Sequence, residues 1–211
     1  LAIRATNAKA LYTMPTLQNP PNAILPLERR RAVAEVCRRH GVVIIEDDIY
    51  NFLPDQPMPP LAAFAPEQTL YITNLSKSVA PALRVGFLSG PQPMIDAAQT
   101  AMRASSIMAS PLLQETAARL INDGTAQKSA ELIREEVRAR QLIAGRLLGR
   151  YEMSRQPTSM HIWLTLPEPW RREAFAAETN RRNVGVAAAD VFSTGRQAMP
   201  HAVRVSVYAD S

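Results

Sequence analysis

An α/β fold built on a mostly parallel sheet, followed by a small α+β C-terminal unit, is what this sequence predicts, and three observations predict it. The run Val42, Val43, Ile44, Ile45 is continuous and β-branched, as in a strand buried on both faces, and ends in the acidic group Glu46, Asp47, Asp48. Strand and helix signals alternate through the first part of the chain. After residue 150 the pattern changes, with Met160, Ile162, Leu164 and Leu166 alternating against His161, Trp163 and Thr165. At 211 residues and 46% hydrophobic content the chain has room for one large domain plus a smaller one.

Ala10 to Met14 reads as a short strand, and Pro15 to Pro26 as a proline-rich loop. The helical pattern Leu27 to His40 stops at Gly41. Further strands are expected at Thr69 to Asn74 and Leu83 to Ser89. Helices follow at Ile95 to Met102 and Leu112 to Ile121, the second closed by Asp123 and Gly124. Gln127 to Tyr151 carries Ile133, Val137, Ile143 and Leu147 near helical period and is long enough to connect two domains. A strand at Met160 to Leu166, a helix from Pro169 to Asn183, a short strand at Val184 to Ala187 and a last strand at Ala202 to Val207 complete the small unit.

The formal charge of +5 raises nucleic acid as a partner, but the basic clusters Arg29 to Arg31, Arg38–Arg39, Arg171–Arg172 and Arg181–Arg182 fall on amphipathic helices beside acids, and read as solvated faces. Cys37 is the single cysteine, so no internal disulfide can form, and a half-buried helix position is expected for it. Three scattered histidines without a spaced carboxylate or cysteine pair give no metal site; His161 and Trp163 read as packing residues and His201 is given no role. No window approaches the roughly 18 to 20 apolar residues of a membrane span, so a cytoplasmic setting without membrane contact is expected.

In open α/β sheets ligands bind beyond the C-terminal ends of the strands. Asn19, Asp47, Tyr50, Lys77 and Arg84 fall at or near such positions. Each alone has a bland reading: a surface lysine, a turn-capping aspartate, an edge-strand arginine. It is their combination that marks a site.

The segments LYTMPTLQNP, VVIIEDDIY, NLSKSVAPALRVGF and AVRVS resemble, in the same order, the motifs of class I/II aminotransferases, which have the PLP-dependent transferase fold type I. Within that superfamily IEDDIY, LAAFAPEQTLYI, INDG and HIWLTLPEPW look most like the aminotransferase-like domain of MocR regulators of the GntR group. The resemblance implies pyridoxal 5′-phosphate (PLP) as cofactor and Lys77 as its Schiff-base lysine, the catalytic residue. It implies that Asp47, rather than its neighbour Asp48, faces the pyridine nitrogen, that Tyr50 and Asn19 hydrogen-bond the phenolic oxygen, that Ser76 and Arg84 bind the phosphate, and that Arg204 binds a substrate carboxylate. It also implies a partial PLP-binding large domain at 1–126, an interdomain helix at 127–150 and a partial small domain at 151–211.

The sequence departs from the family pattern in places. The usual Asn-Pro-Thr-Gly loop reads Asn19, Pro20, Pro21, Asn22; Asn74 stands where a phosphate-reaching serine is usual; and Ala82 follows Pro81 where a glycine is common. The glycine-rich phosphate turn and the ring-stacking aromatic of the family are not in the chain, which is therefore expected to be a piece of a longer protein, cut at both ends, that binds PLP poorly and self-associates when expressed alone. Two functions stay open. One is the effector-sensing part of a regulator, taking an amino acid or related amino compound, homodimeric, and meeting DNA through an N-terminal winged helix-turn-helix. The other is a free-standing aminotransferase exchanging amino groups between an amino acid and a 2-oxo acid.

Overall fold

The computed structural model describes residues 2–194 and 198–208. The chain divides into two compact units: the first holds the chain up to Thr16 and from Ile24 to Ile133, the second holds Leu17–Ala23 and the chain from Arg134 onward. The division falls within one long helix, and the second unit also claims seven residues from the proline-rich loop.

In the first unit a short helix α1 (Ala2–Thr6) precedes β1 (Ala10–Thr13); α2 (Leu27–His40), β2 (Val43–Asp47), β3 (Thr69–Asn74) and β4 (Gly86–Ser89) follow. The sheet order is β1-β2-β3-β4, with β1, β2 and β3 parallel and β4 antiparallel at the edge. The strand expected at Leu83 to Ser89 is corrected: Pro81–Leu83 is a turn of 3-10 helix, and Arg84 adopts a left-handed φ of 50° that no strand accommodates. Only from Gly86 does the chain extend, folding back along β3. Helices α3 (Gln92–Ser106), α4 (Pro111–Asn122) and α5 (Thr125–Leu148) follow, each starting before its expected first residue, and α5 stopping short of Tyr151.

One sheet face is covered. Leu11 and Ile44 pack with Ala34, Cys37, Val42, Leu61 and Ala65, so α2 and the turn at Leu61 close over it. Gly41 ends α2 in the left-handed conformation that lets its N–H reach back to the last carbonyls. Cys37 is fully rather than half buried, and burial pushes its thiol up from the ordinary range.

Arg30 corrects the reading of the basic clusters as solvated. Arg29 and Arg31 are exposed, but Arg30 is 0% exposed. Its guanidinium donates to the carbonyls of Leu25, Pro59 and Pro15 at 2.9, 3.1 and 3.1 Å and to Thr16 Oγ1 at 3.0 Å. The proline-rich segments offer carbonyls that no helix or sheet satisfies, and a planar five-donor group can collect them.

In the second unit β5 (Met153–Ser154), β6 (His161–Thr165), β7 (Ala187–Ala188) and β8 (Ala202–Ser206) form an antiparallel sheet in the order β5-β6-β8-β7. On one face Leu164, Leu166 and Val203 pack with Tyr151, Met153 and Phe175, the last from α6 (Arg172–Arg181), which is shorter at both ends than the sequence suggests. His161, Trp163 and Arg204 belong to the alternate face, since Trp163 and Arg204 are register partners.

Candidate cofactor site

Glu46 and Asp47 end β2 and Asp48 follows it, and the two-residue period of extended chain divides their tasks. Glu46 is fully buried and accepts the backbone N–H groups of Leu61 and Ala62 at 2.8 and 2.9 Å, which fixes the turn over the core. Burial still holds its carboxyl above the usual range. Asp48, on the same side and 1% exposed, accepts from the Tyr71 hydroxyl at 3.1 Å; burial raises its carboxyl too, and the Thr16 and Tyr71 hydroxyls pull it partly back. Asp47 alternates to the other side. Its Oδ2 accepts from Tyr12 at 2.7 Å, while its Oδ1 is a buried atom with no hydrogen-bond partner. An acceptor in that condition calls for a donor.

Lys77 and Ser76 lie in the turn that leaves the C-terminal end of β3, the same end of the sheet as Asp47, because Asp47 is in register with Ile72. Both are half-buried. Asn74 bends the chain there by accepting the Ser76 N–H at 2.9 Å, an Asx turn that employs its amide oxygen locally. Leu75, Leu83 and Val85 pack against Ala117 of α4, which anchors both ends of the loop that carries Lys77. Arg84 is exposed, set by its left-handed backbone at the end of the 3-10 turn. Tyr50, 7% exposed, sits in the turn after β2.

The second unit brings Asn19 and Arg204 together. Arg204 Nη1 donates to Asn19 Oδ1 at 3.0 Å, and the guanidinium lies 5.0 Å from the centre of the Phe192 ring, whose other neighbour is Trp163 at 6.1 Å, edge to face. His161 is 4% exposed; burial first, then the Arg204 charge, pushes its imidazole down to about 4, so it is neutral at pH 7. His201, given no role from sequence, accepts from Arg171 at 2.7 Å. Among the described residues no group of three or more His, Cys, Asp or Glu side chains could hold a metal ion, and no helix is long and apolar enough to cross a membrane.

Sequence reasoning missed Tyr12, Asn22 and Phe192. Tyr12 could have been found only from strand register: it is the partner of Ile45, two residues before Asp47 on the same face. Partial desolvation and the bond to Asp47 push its hydroxyl up to about 12, so it stays a donor through the neutral range.

A family model described as aminotransferase class I and II matches residues 4–211. The uncharacterized HTH-type transcriptional regulator YdeF of Bacillus subtilis is 35% identical over 99% of this chain and 45% of its own length. The aromatic-amino-acid aminotransferase 1 of Thermococcus litoralis is 26% identical over 76% of the chain and 40% of its own length. This chain thus spans about half, or less, of the curated relatives it matches. Among solved structures, kynurenine aminotransferase of Pyrococcus horikoshii superimposes with a TM-score of 0.89 at 23% identity, covering 100% of this chain and 54% of that one. That likeness fixes the fold as fold type I of the PLP-dependent transferases. With the family model spanning nearly all of its length, the chain belongs to the aminotransferase class I and II family.

Proposed function

We propose that the chain is the PLP-binding, amino-compound-sensing part of a MocR/GntR-type transcriptional regulator. The observation that carries the cofactor is the Asp47 carboxylate: one oxygen satisfied by Tyr12, the other buried and waiting for a donor, which a protonated ring nitrogen supplies. Lys77 supports the same reading, being the half-buried member of a chain with only three lysines, where Lys9 and Lys128 are exposed.

When bound, PLP supplies a ring that accepts electron density from the α-carbon of an amino compound. Lys77 holds the cofactor through its amine and can carry a proton to and from that carbon. Asp47 keeps the ring nitrogen protonated. Tyr50 and Asn19 donate to the phenolic oxygen. Ser76 and Arg84 take the phosphate, and Arg204 takes the carboxylate of an amino acid, as a guanidinium grips two oxygens in a fixed fork. By family resemblance the working assembly is a homodimer, and contact with DNA belongs to a winged helix-turn-helix partner segment.

The regulator is favoured by the relation to YdeF, an HTH-type regulator matched over 99% of the chain. A free-standing aminotransferase is the second reading, favoured by relatives such as the Thermococcus litoralis aromatic enzyme. Incubating the PLP-loaded protein with a panel of L-amino acids and assaying released 2-oxo acid separates them. A sensor changes its absorption spectrum without sustained turnover, and an aminotransferase releases 2-oxo acid catalytically when an acceptor 2-oxo acid is present.

A further inference from the structure

Arg204 is oriented by Asn19, and the question is what orients Asn19. The segment Leu17–Ala23 lies between β1 and α2 in sequence but packs with the second unit. It is closed on itself, Asn22 N–H donating to the Gln18 carbonyl at 2.7 Å and Gln18 N–H to the Ala23 carbonyl at 2.9 Å. Three side chains fasten it to the sheet: His161, whose ring hydrogen-bonds the backbone of Pro20 and Gln18, Ser154, and most fully Asn22. Asn22 is 0% exposed and sits at a left-handed φ of 61°, a conformation asparagine tolerates better than most residues. Its Nδ2 donates to the carbonyls of Ser154 and His161 at 3.0 and 3.1 Å, and its Oδ1 accepts from the Ser159 hydroxyl. Ser154 Oγ donates back to the Pro21 carbonyl. Gln141, also buried, donates to the carbonyls of Ser159 and His161 and so braces the strand end that receives Asn22.

Every polar atom of the Asn22 amide is thus used, on β5, β6 and the connection between them, in the sheet that carries Arg204. Between this anchor and Asn19 stand two prolines, whose fixed φ leaves little slack. The position of Asn19 Oδ1 therefore depends on the Asn22 amide, together with the bonds of the His161 ring to the backbone of Gln18 and Pro20. Asn19 engages Nη1 of Arg204, and Phe192 lies against the guanidinium, so the remaining N–H groups have one orientation rather than several.

We propose that Asn22 is a positioning residue for carboxylate recognition: by pinning the 18–23 loop to β5 and β6 it sets Asn19, and through Asn19 the guanidinium of Arg204. The inference rests on the reading of Arg204 as the carboxylate-binding group. It assigns substrate discrimination, acid against amine, to a buried amide that itself touches neither cofactor nor substrate.

The test uses the PLP-loaded holoprotein and two probes, L-phenylalanine and its decarboxylated counterpart phenethylamine, titrated by the change in cofactor absorption. Asn22→Gly keeps the backbone conformation accessible and removes the three anchoring bonds. It should raise Kd for phenylalanine about tenfold while leaving phenethylamine within about twofold, with the cofactor band retained. Ser159→Ala removes one of those bonds and should give the same selectivity at about two- to fivefold; it decides the matter should Asn22→Gly not fold. Equal weakening of acid and amine in the folded variant, or no weakening of either, would overturn the inference. Arg204→Ala separates the two levels: a selective loss for phenylalanine there, with none in Asn22→Gly and Ser159→Ala, sinks the positioning role alone, whereas no selective loss in Arg204→Ala removes the carboxylate reading and the inference with it.

Discussion

The Tyr12 hydroxyl donates to Asp47 Oδ2 at 2.7 Å, and this fixes the carboxylate with its Oδ1 buried and unpartnered. Without the phenol the carboxylate is free to rotate. Tyr12→Phe should therefore lower PLP affinity by about three- to tenfold without changing the fold, a hydrogen bond to a charged group at a partly exposed site being worth on the order of 1 kcal/mol. Absorbance titration of PLP against both proteins reads it; equal affinities would show that Tyr12 does not orient Asp47.

Asp47 and Asp48 each keep a buried Oδ1 without a hydrogen-bond partner, but they alternate in side, Asp47 meeting Tyr12 and Asp48 meeting Tyr71. Asp48 is buried, its carboxyl raised by that burial, so replacing it with a neutral amide of the same shape should cost little and leave the cofactor spectrum unchanged. Asp47→Asn should deprive the ring nitrogen of its counter-charge, shift the spectrum, and slow proton exchange at the α-carbon of a bound amino acid on the order of 100-fold. Deuterium exchange into the recovered amino acid measures this, and the reverse ranking of the two variants would show that the motif has been read one residue out of register.

Arg30 is the buried cation on which the proline-rich segments converge. Arg30→Ala leaves the Leu25 and Pro59 carbonyls and the Thr16 oxygen without this donor and takes one of two donors from the Pro15 carbonyl, which keeps the Leu25 N–H, and should destabilise the chain by about 3 kcal/mol; Arg30→Lys should recover only part of this, since an ammonium has three donors and no planar fork. Urea unfolding of the three proteins tests the order.

His161 predicts an acid dependence with a definite sign. Its imidazole is pushed down to about 4 in the fold against 6.5 in the unfolded chain. Between those values the unfolded chain holds the proton and the folded chain does not, so stability falls as pH drops. The His161 contribution is complete above pH 6.5 and is lost progressively towards pH 4, to an extent of at most ~3 kcal/mol. His161→Phe should flatten the change in unfolding free energy between pH 7.5 and pH 5 relative to the unsubstituted chain; parallel slopes would contradict the assignment.

Much of the first unit was legible because local patterns dominate there. The β-branched run, Gly41 after a helical repeat and the acidic strand end state the architecture in short windows, and α2 falls on Leu27–His40 as the periodicity requires. What the sequence hid depends on pairing between distant segments. Arg30 looks like one of three surface arginines until Pro15, Leu25 and Pro59 are brought to it. Asn22 looks like a loop residue until Ser154, Ser159 and His161 surround it, from 132 to 139 residues away. β4 could not be told from the 3-10 turn before it, because Leu83 and Val85 are apolar for packing on α4 and not for strand alternation. The positions of Asp47 and Lys77 were readable from strand ends; the Tyr12 contact required register.

Lys77 is expected to hold the cofactor in the intact PLP-loaded holoprotein, where the label can be followed among the three lysines of this stretch, Lys9, Lys77 and Lys128. PLP-loaded protein is reduced with borohydride, digested, and the cofactor's added mass located by peptide mapping, with Lys77→Ala treated in parallel. Stoichiometric label on Lys77, little on the exposed Lys9 and Lys128, and loss of the visible cofactor band in Lys77→Ala with the fold retained are the predicted results. Label spread over Lys9 and Lys128, or a band that survives Lys77→Ala unchanged, would rule out Lys77 as the cofactor-holding lysine.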